Sequence, residues 1–343
     1  MKVYTVDKIF IKIFSDYKEI TLRYAPKYRA IWCYYNPTGR PCFSLTMLKE
    51  LRQLQQRIMD YFTNKDKKTE SLIDYQVLHS QICGVFSFGG DLDLFSKLIK
   101  EQNREELLDY ALRCVDICYL NAVNLHQPIT TISFVDGSAL GGGFESALSS
   151  NVLIATDNSQ MGFPEIRFNL FPGMGAYSLL ARSCGIKIAE KMISSGEMYS
   201  ANQLFDMGIV HRLSNVGKGA ECVEEFIRHH RQRSNGYRAI QQARQRYQPI
   251  EYQELADITE IWVAAALGLK KKDLRLIDKL VKTQNTKISS KNKNSRLRTY
   301  QDRRLTQRSS IFPLTDWSEN VIIKDRRINP DRRLSPKLCI VGT

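Results

Sequence analysis

Two glycine-rich turns, each between a strand-like run and a helix-like run, restrict the fold of this chain more than any other feature. The first is FGGD at 88–91, after the apolar run CGVFSF, and the second is GGG at 141–143, after ITTISFVDG. Glycine lets the backbone approach a ligand closely, and amides at the start of a helix attract negative charge. Each turn alone is also ordinary material for a tight connection. Together they indicate two backbone donors for an oxyanion.

The hydrophobic pattern alternates between strand and helix periods over most of the chain. Residues 8–36 are rich in Ile, Val, Tyr and Phe and predict strands joined by turns. Leucines and an isoleucine at three- and four-residue steps predict an amphipathic helix over 44–63, and similar spacing predicts helices over 103–125, from 144, over 235–248, from 251 and over 274–281. This alternation predicts an α/β fold with a helical C-terminal region.

Composition excludes several classes of protein. The 343 residues are 43% hydrophobic and 25% charged, enough to bury a large core, and no apolar run reaches the length of a membrane span or a signal-peptide core. The eight cysteines form no CxxC pair, and the five histidines form no grouping with metal-ligand spacing. Cys114 and Cys118 are four apart and predict two small buried side chains on one helix face. We therefore expect a cytoplasmic protein with no metal and no cofactor.

Positive charge is concentrated at the C-terminus. Residues 283–343 hold 14 Lys and Arg against 5 Asp and Glu, out of a net charge of +14 for the chain. The segment has no sustained period, which favours a solvated basic tail of low order. Contact of this tail with nucleic acid or a membrane is the less favoured interpretation. An apolar cluster, Phe312, Trp317 and 321–323, is the part of the tail with the capacity to fold or dock.

Two glutamates follow the second glycine turn. Glu145 comes directly after GGG, and Glu165 lies 20 residues later in the sequence MGFPE. Each alone is typical of a first-turn helix glutamate, which interacts favourably with the helix dipole. As a pair beside an oxyanion hole, they are suited to proton transfer, because one removes a proton near a polarised carbonyl while the other delivers one.

The stretches SFVDGSALGGGFESALSSNVLIAT and MGFPEIRFNLFPGMGAYSLLAR resemble the crotonase (enoyl-CoA hydratase/isomerase) superfamily over about residues 8–285. Within it the chain is most similar to the diffusible-signal-factor (DSF) synthases of bacterial quorum sensing, through ALGGGFESALS, ITEIWVAAALGL and LRLIDKLVKTQ. The resemblance implies a crotonase-like ββα spiral core over 1–225, C-terminal helices over 226–284 that complete an acyl pocket, and the basic tail over 285–343.

The same resemblance implies roles for individual residues. Glu145 and Glu165 would be the catalytic pair, and Gly90 and Gly142 would form the oxyanion hole. The side chains implied for an apolar, substrate-binding pocket are Leu140, Met174, Trp262 and Leu280. Read without the resemblance, these four are apolar residues beside glycine turns or on helix stripes, and most such residues belong to the core.

The implied reaction is dehydration of a 3-hydroxyacyl thioester on acyl carrier protein to a cis-2-enoyl thioester, followed by hydrolysis to a free unsaturated fatty acid. Acyl carrier protein or CoA would carry the substrate, a regulatory signalling protein would be a partner, and the enzyme would assemble as a trimer or hexamer. The alternatives are a CoA-dependent enoyl-CoA hydratase or isomerase and a non-catalytic regulator with the same fold.

Overall fold

The computed structural model describes residues 10–14 and 16–284, together with the backbone of two short strands near the C-terminus. The chain divides into two units, Met1–Asp278 and Lys279–Thr343. Within the described part of the first unit the strands are β1 (Ile20–Ala25), β2 (Ala30–Tyr35), β3 (Tyr75–Ser80), β4 (Val85–Ser87), β5 (Thr130–Val135), β6 (Ser138–Leu140), β7 (Val152–Thr156), β8 (Gln160–Gly162), β9 (Met198–Ser200) and β10 (Arg212–Ser214).

Helices alternate with these strands. Over residues 16–284 they are α1 (Leu45–Asn64), α2 (Leu92–Lys100), α3 (Arg104–Ala122), α4 (Gly142–Leu148), α5 (Ala176–Cys184), α6 (Ile186–Ser195), α7 (Ala201–Asp206), α8 (Gly219–Gln232), α9 (Ser234–Tyr247), α10 (Tyr252–Leu267) and α11 (271–284). No helix among the described residues is both long and apolar enough to cross a membrane.

The strands form two sheets, and from β3 to β8 successive strands alternate between them. The first sheet has the order β1-β2-β3-β5-β7-β10 and the second has the order β4-β6-β8-β9. All neighbouring pairs are parallel except β1 with β2 and β8 with β9. From β3 to β8 the chain therefore advances as a spiral, because each repeat adds one strand to each sheet before a helix or turn.

The first sheet is buried on both faces, as is usual for parallel sheets. One face carries every second residue of four strands and is covered by α8. This cluster includes Trp32, Val77, Ile132, Phe134 and Ile154 from the strands and Cys222, Val223 and Ile227 from the helix. The intervening residues of β2, Ile31, Cys33 and Tyr35, are also buried, on the opposite face.

The second sheet positions the candidate site. Its strands β4, β6 and β8 are parallel neighbours, so their carboxyl ends lie at one edge. The turn after β4 carries Gly90, the turn after β6 carries Gly142, and the turn after β8 carries Glu165. Three segments that are far apart in sequence therefore meet at one edge of the sheet.

The structure confirms most of the predicted elements and corrects one. The helix predicted over 44–63 is α1, and Cys114 and Cys118 are both buried on α3. The strand interpretation is wrong at residues 10–13, which are helical. Phe10 and Ile13 are buried there, and their three-residue spacing suits a helix, whereas the mixed run IFIKIF suggested alternation.

The second unit is described only in part. Residues 279–284 complete α11, and β11 (Leu314–Thr315) pairs antiparallel with β12 (Val321–Ile322). These short strands fall in the stretch that the sequence singled out for its apolar residues. The remainder of the predicted tail over 285–343 lies outside the described residues.

Candidate active site

The amides of Gly90 and Gly142 lie side by side. A Cβ atom at Gly142 would be 3.2 Å from the Gly90 nitrogen, and one at Gly89 would be 2.7 Å from the Gly142 nitrogen. The φ of Gly89 is +89°, a conformation that favours glycine. Within residues 10–14 and 16–284 neither amide donates to a protein acceptor. Two neighbouring amides without an acceptor are what the predicted oxyanion hole requires, and that role stays a prediction.

Glu145 lies on α4, a short helix that is buried almost throughout, and its side chain is 1% exposed. Its Oε1 accepts hydrogen bonds from the backbone amides of Met174 at 2.9 Å and Ala176 at 3.0 Å. Burial raises the pKa of Glu145 to about 7, and the two amide donors oppose this rise because they stabilise the charged form.

Glu165 lies in a single turn of 3-10 helix, Pro164–Phe168, after β8. Its Oε1 lies so close to Gly141, whose φ is +51°, that any side chain at that position would overlap it. Its Oε2 is buried and has no hydrogen-bond partner within residues 10–14 and 16–284. Burial, followed by the negative charge of Glu145, raises the pKa of Glu165 to about 8. The carboxyls are therefore electrostatically coupled.

A small cavity of about 20 Å³ opens between the glutamate on α4 and helices α1 and α3. This volume is close to that needed for one water molecule. Its polar lining includes Gly90, Gly142, Glu145 and Ser146, and its apolar lining consists of Phe43, Leu48, Leu51, Cys114, Ile117, Cys118 and Met174. The cavity therefore joins the two glycine segments and one carboxyl to an apolar wall.

The four residues predicted for the apolar pocket have different positions. Met174 lines the cavity beside Glu145. Leu140 ends β6 next to the glycine turn and is partly exposed. Trp262 is buried against Gly173, where a Cβ atom would overlap its ring, and against Phe95, with ring centroids 5.1 Å apart. Leu280 falls in the second unit. The binding roles of all four stay predictions.

A larger polar cavity, of about 340 Å³, lies at Arg29, Arg231 and Arg238. It includes the first residue of β3 and contains none of the predicted site residues. Parallel sheets bind ligands at the carboxyl ends of their strands, so we place the active site at the glycine turns. Within residues 10–14 and 16–284, no group of three or more His, Cys, Asp or Glu side chains is arranged to hold a metal ion.

Comparison with known protein families identifies the fold around this site. The family model described as enoyl-CoA hydratase/isomerase matches residues 43–259, a stretch that includes both glycine turns and both glutamates. The chain belongs to the enoyl-CoA hydratase/isomerase family. Its spiral core is the crotonase-like α/β fold that the resemblance predicted.

Two curated relatives show the extent of the sequence similarity. It is 29% identical over 189 residues to "Enoyl-CoA isomerase/hydratase fer4" of Mycosarcoma maydis, covering 55% of this chain and 65% of that one. It is 27% identical over 172 residues to the mitochondrial methylglutaconyl-CoA hydratase of Mus musculus, covering 50% of each chain. The matches to these two curated relatives thus span between half and two thirds of the relatives' own length.

A solved structure shows the same fold. The human mitochondrial delta3-delta2-enoyl-CoA isomerase superposes with a TM-score of 0.62, covering 78% of this chain and 99% of that one. The sequence identity is 14%, so this similarity shows that the two proteins share a fold and shows nothing more.

The sequence identified Met174 but not most of the apolar wall of the cavity. Five of the wall residues lie on α1 and α3, where leucine periodicity and the Cys114–Cys118 spacing indicated only a buried face. Spacing within one helix indicates which residues are buried, but the neighbour that buries them depends on tertiary packing. The backbone donors to Glu145 were missed for the same reason.

Proposed function

We propose that the site catalyses reversible addition of water to a 2-enoyl thioester, which in reverse is dehydration of a 3-hydroxyacyl thioester. The proposal rests on two coupled carboxyl groups with raised pKa values beside two glycine amides that have no acceptor among the described residues. Negative charge develops on the thioester oxygen, which the amides stabilise, while the carboxyls exchange protons with water and C2.

The surroundings of the two carboxyls assign their roles in the hydration direction. Glu145 accepts two amide hydrogen bonds that favour its charged form, so it acts as the base toward water. Glu165 has the higher pKa, about 8, and a buried oxygen with no partner in the described part of the chain, so it holds the proton near neutral pH and acts as the acid. Because the two coupled carboxyls share one proton, the same pair can catalyse both hydration and dehydration.

The steps follow from these roles. Glu145 takes a proton from water while the water oxygen bonds to C3, and the C2–C3 π electrons move toward the thioester carbonyl. The resulting enolate oxygen accepts hydrogen bonds from Gly90 and Gly142, and Glu165 protonates C2. The pair again holds one proton, now on Glu145. The cavity beside Glu145 has the volume of the water that this step requires.

The test uses the full-length protein with a medium-chain trans-2-enoyl thioester and the matching 3-hydroxyacyl thioester, each on CoA and on acyl carrier protein. Mass spectrometry should detect interconversion that disappears in Glu145→Ala and Glu165→Ala. Glu190→Ala, which removes an exposed carboxyl on α6, is the control and should retain activity. No turnover of any of the four thioesters would contradict the proposal and favour the non-catalytic regulator.

A narrower second proposal is a DSF synthase, which dehydrates a 3-hydroxyacyl thioester on acyl carrier protein to the cis-2-enoyl form and then hydrolyses the thioester. Two sequence stretches that support it, ITEIWVAAALGL and LRLIDKLVKTQ, fall in α10 and α11. Trp262 of the first stretch packs against Gly173, next to the backbone that donates to Glu145. One oxyanion hole suits both steps, because the enolate and the tetrahedral intermediate carry charge on the same oxygen.

Product analysis separates the two proposals. A synthase releases a free cis-2-enoic acid from the 3-hydroxyacyl carrier protein, whereas a hydratase leaves a trans-2-enoyl thioester intact. Release of the free cis acid by the wild type, and its loss in both glutamate variants, would support the synthase. A trans thioester as the sole product would contradict the synthase and leave the hydratase proposal in place.

The carrier and the partners are further proposals. Acyl carrier proteins are acidic, and this chain is basic, with a net charge of +14. We expect kcat/KM for the carrier-protein thioester to fall with ionic strength more steeply than kcat/KM for the CoA thioester. Equal salt dependence would contradict charge-guided carrier recognition. A regulatory signalling protein and assembly as a trimer or hexamer also stay proposals, as does the pocket role of helices within 226–284.

A further inference from the structure

A hydrogen bond on the far side of the Gly89–Gly90 peptide, away from the proposed oxyanion hole, orients the Gly90 amide. The carbonyl of Gly89 accepts a hydrogen bond from the amide of Phe43 at 2.8 Å. In a trans peptide the C=O and N–H bonds point in opposite directions. The Gly90 N–H therefore points away from Phe43, and Gly142 lies nearby, since a Cβ atom at Gly142 would be 3.2 Å from the Gly90 nitrogen.

A buried phenol holds the next peptide of the same segment. The amide of Asp91 donates to the Tyr110 hydroxyl at 3.0 Å, and that hydroxyl donates to the Phe43 carbonyl. Phe43 and Gly90 form a parallel bridge, in which the amide of Asp91 faces the carbonyl of Phe43. The phenol hydroxyl is hydrogen-bonded to both of these groups, so it ties the Gly90 segment to Phe43 at this end of the bridge. Tyr110 is 1% exposed, and burial raises its pKa well above the usual value, so the phenol stays neutral.

An aromatic ring completes this support. Phe95 of α2 packs edge-on against Tyr110, with ring centroids 5.1 Å apart. A Cβ atom at Gly90 would lie 2.7 Å from Phe95 Cε2, so the ring packs directly against the Gly90 backbone. The position of the Gly90 amide is thus fixed by Phe43, Tyr110 and Phe95, whereas the Gly142 amide belongs to the first turn of α4.

We infer that Tyr110 is a positioning residue that aims the Gly90 amide at the thioester oxygen. The inference rests on the proposed function, because it assigns to Gly90 a donor role in the reaction. Without the hydroxyl, the amide of Asp91 loses its acceptor and the carbonyl of Phe43 loses a donor, so the segment that carries Gly90 loses one of the contacts that fix its position. Loss of one hole donor typically costs about 10²–10³ in rate, and we expect about 10- to 100-fold for a displaced one.

The test compares Tyr110→Phe with Tyr61→Phe in the full chain. Tyr61 is also 1% exposed, and its hydroxyl accepts a hydrogen bond from the amide of Leu72 at 2.8 Å. Both variants therefore remove a buried phenol oxygen that accepts a hydrogen bond from a backbone amide. With a trans-2-enoyl-CoA substrate, Tyr110→Phe should lower kcat about 10- to 100-fold and leave KM within about threefold. Tyr61→Phe should leave both constants near those of the wild type.

A second readout reports the oxyanion hole directly. The infrared stretch of a ¹³C-labelled carbonyl in a bound saturated acyl-CoA falls in frequency when hole donors polarise it. Tyr110→Phe should reverse part of this fall and Tyr61→Phe should not. Equal kcat and equal carbonyl frequency in the two variants would overturn the inference. Absence of turnover in the wild type would instead count against the proposed function, and the infrared comparison, which needs only binding, would still test Tyr110.

If Tyr110→Phe does not fold, fluorinated tyrosines at position 110 replace it. Fluorination makes the phenol oxygen a progressively poorer acceptor for the amide of Asp91 while the ring stays in place. A positioning role predicts a graded change in carbonyl frequency from tyrosine to 3-fluorotyrosine to 3,5-difluorotyrosine. A constant frequency across this series would overturn the inference.

Discussion

Glu145 and Glu165 reach the same site from two differently built regions. Glu145 projects from a buried helix and is held by two backbone amides of the segment that begins α5. Glu165 projects from a short 3-10 helix, contacts the backbone of Gly141 and has one oxygen without a partner among the residues that the structure describes. Burial raises the pKa of both residues, but amides of another segment oppose the rise at Glu145, whereas the negative charge of Glu145 adds to the rise at Glu165.

The largest expected effect is on the chemistry. Glu145→Gln and Glu165→Gln should each lower kcat by about 10²–10⁴, the range for loss of a general acid or base. The two variants should differ in a second assay, exchange of the C2 proton of a saturated acyl-CoA with deuterated water. Glu165 alone handles C2 in the proposed mechanism, so exchange should persist in Glu145→Gln and vanish in Glu165→Gln.

Glu190→Gln is the control for both assays, since that carboxyl is exposed on α6. Exchange that vanishes in Glu145→Gln and persists in Glu165→Gln would reverse the assignment of acid and base.

A smaller effect should follow from Gly141→Ala. The new methyl group would overlap Glu165 Oε1, and the φ of +51° is strained for alanine. We expect a fall in kcat of about 10²-fold through displacement of Glu165, measured by steady-state kinetics. Gly236→Ala is the matched control: its Cβ would meet no atom within 4 Å, and alanine favours a helix interior such as α9. If Gly141→Ala and Gly236→Ala are equally active, the close contact with Glu165 is not required.

The pH dependence should reflect the coupled pair. The reactive state holds one proton between the two carboxyls, with pKa values of about 7 and about 8. We expect kcat/KM to follow a bell that peaks between these values and falls about tenfold per pH unit on each side. A plateau from pH 5 to pH 7 would show that Glu145 titrates below its expected range.

The smallest effect is on stability. The pKa of Glu165 is raised to about 8 from an ordinary value of 4.5, so its protonated form stabilises the fold at low pH and this contribution is lost as pH rises toward 8. Between pH 6 and 7 the free energy of unfolding of the wild type should therefore fall relative to Glu165→Gln by about 1 kcal/mol. Urea unfolding at the two pH values measures the difference, and parallel behaviour of the two proteins would contradict a raised pKa.

Much of the site was predictable because its parts are local motifs. The glycine turns at 88–91 and 141–143 and the MGFPE segment have the sequence signatures of backbone donors and a turn carboxylate, and the structure brings them together. The start of α4 was predicted two residues late, since Gly142 and Gly143 are poor helix formers that tertiary packing includes in the first turn. Residues 10–13 were misassigned because a short apolar run suits either period.

The sequence by itself determined the α/β alternation, the membership of the family and the residue types that carry the proposed chemistry. Only the tertiary structure decided that β4, β6 and β8 are neighbours, that Met174 and Ala176 donate to Glu145, and that Tyr110 lies between Asp91 and Phe43. The physical reason is how far apart in the chain the interacting residues are. Turns and periodicity depend on adjacent residues. The pKa of a buried carboxyl and the orientation of an amide depend on segments 19 or more residues away in the chain, which only the folded packing brings into contact.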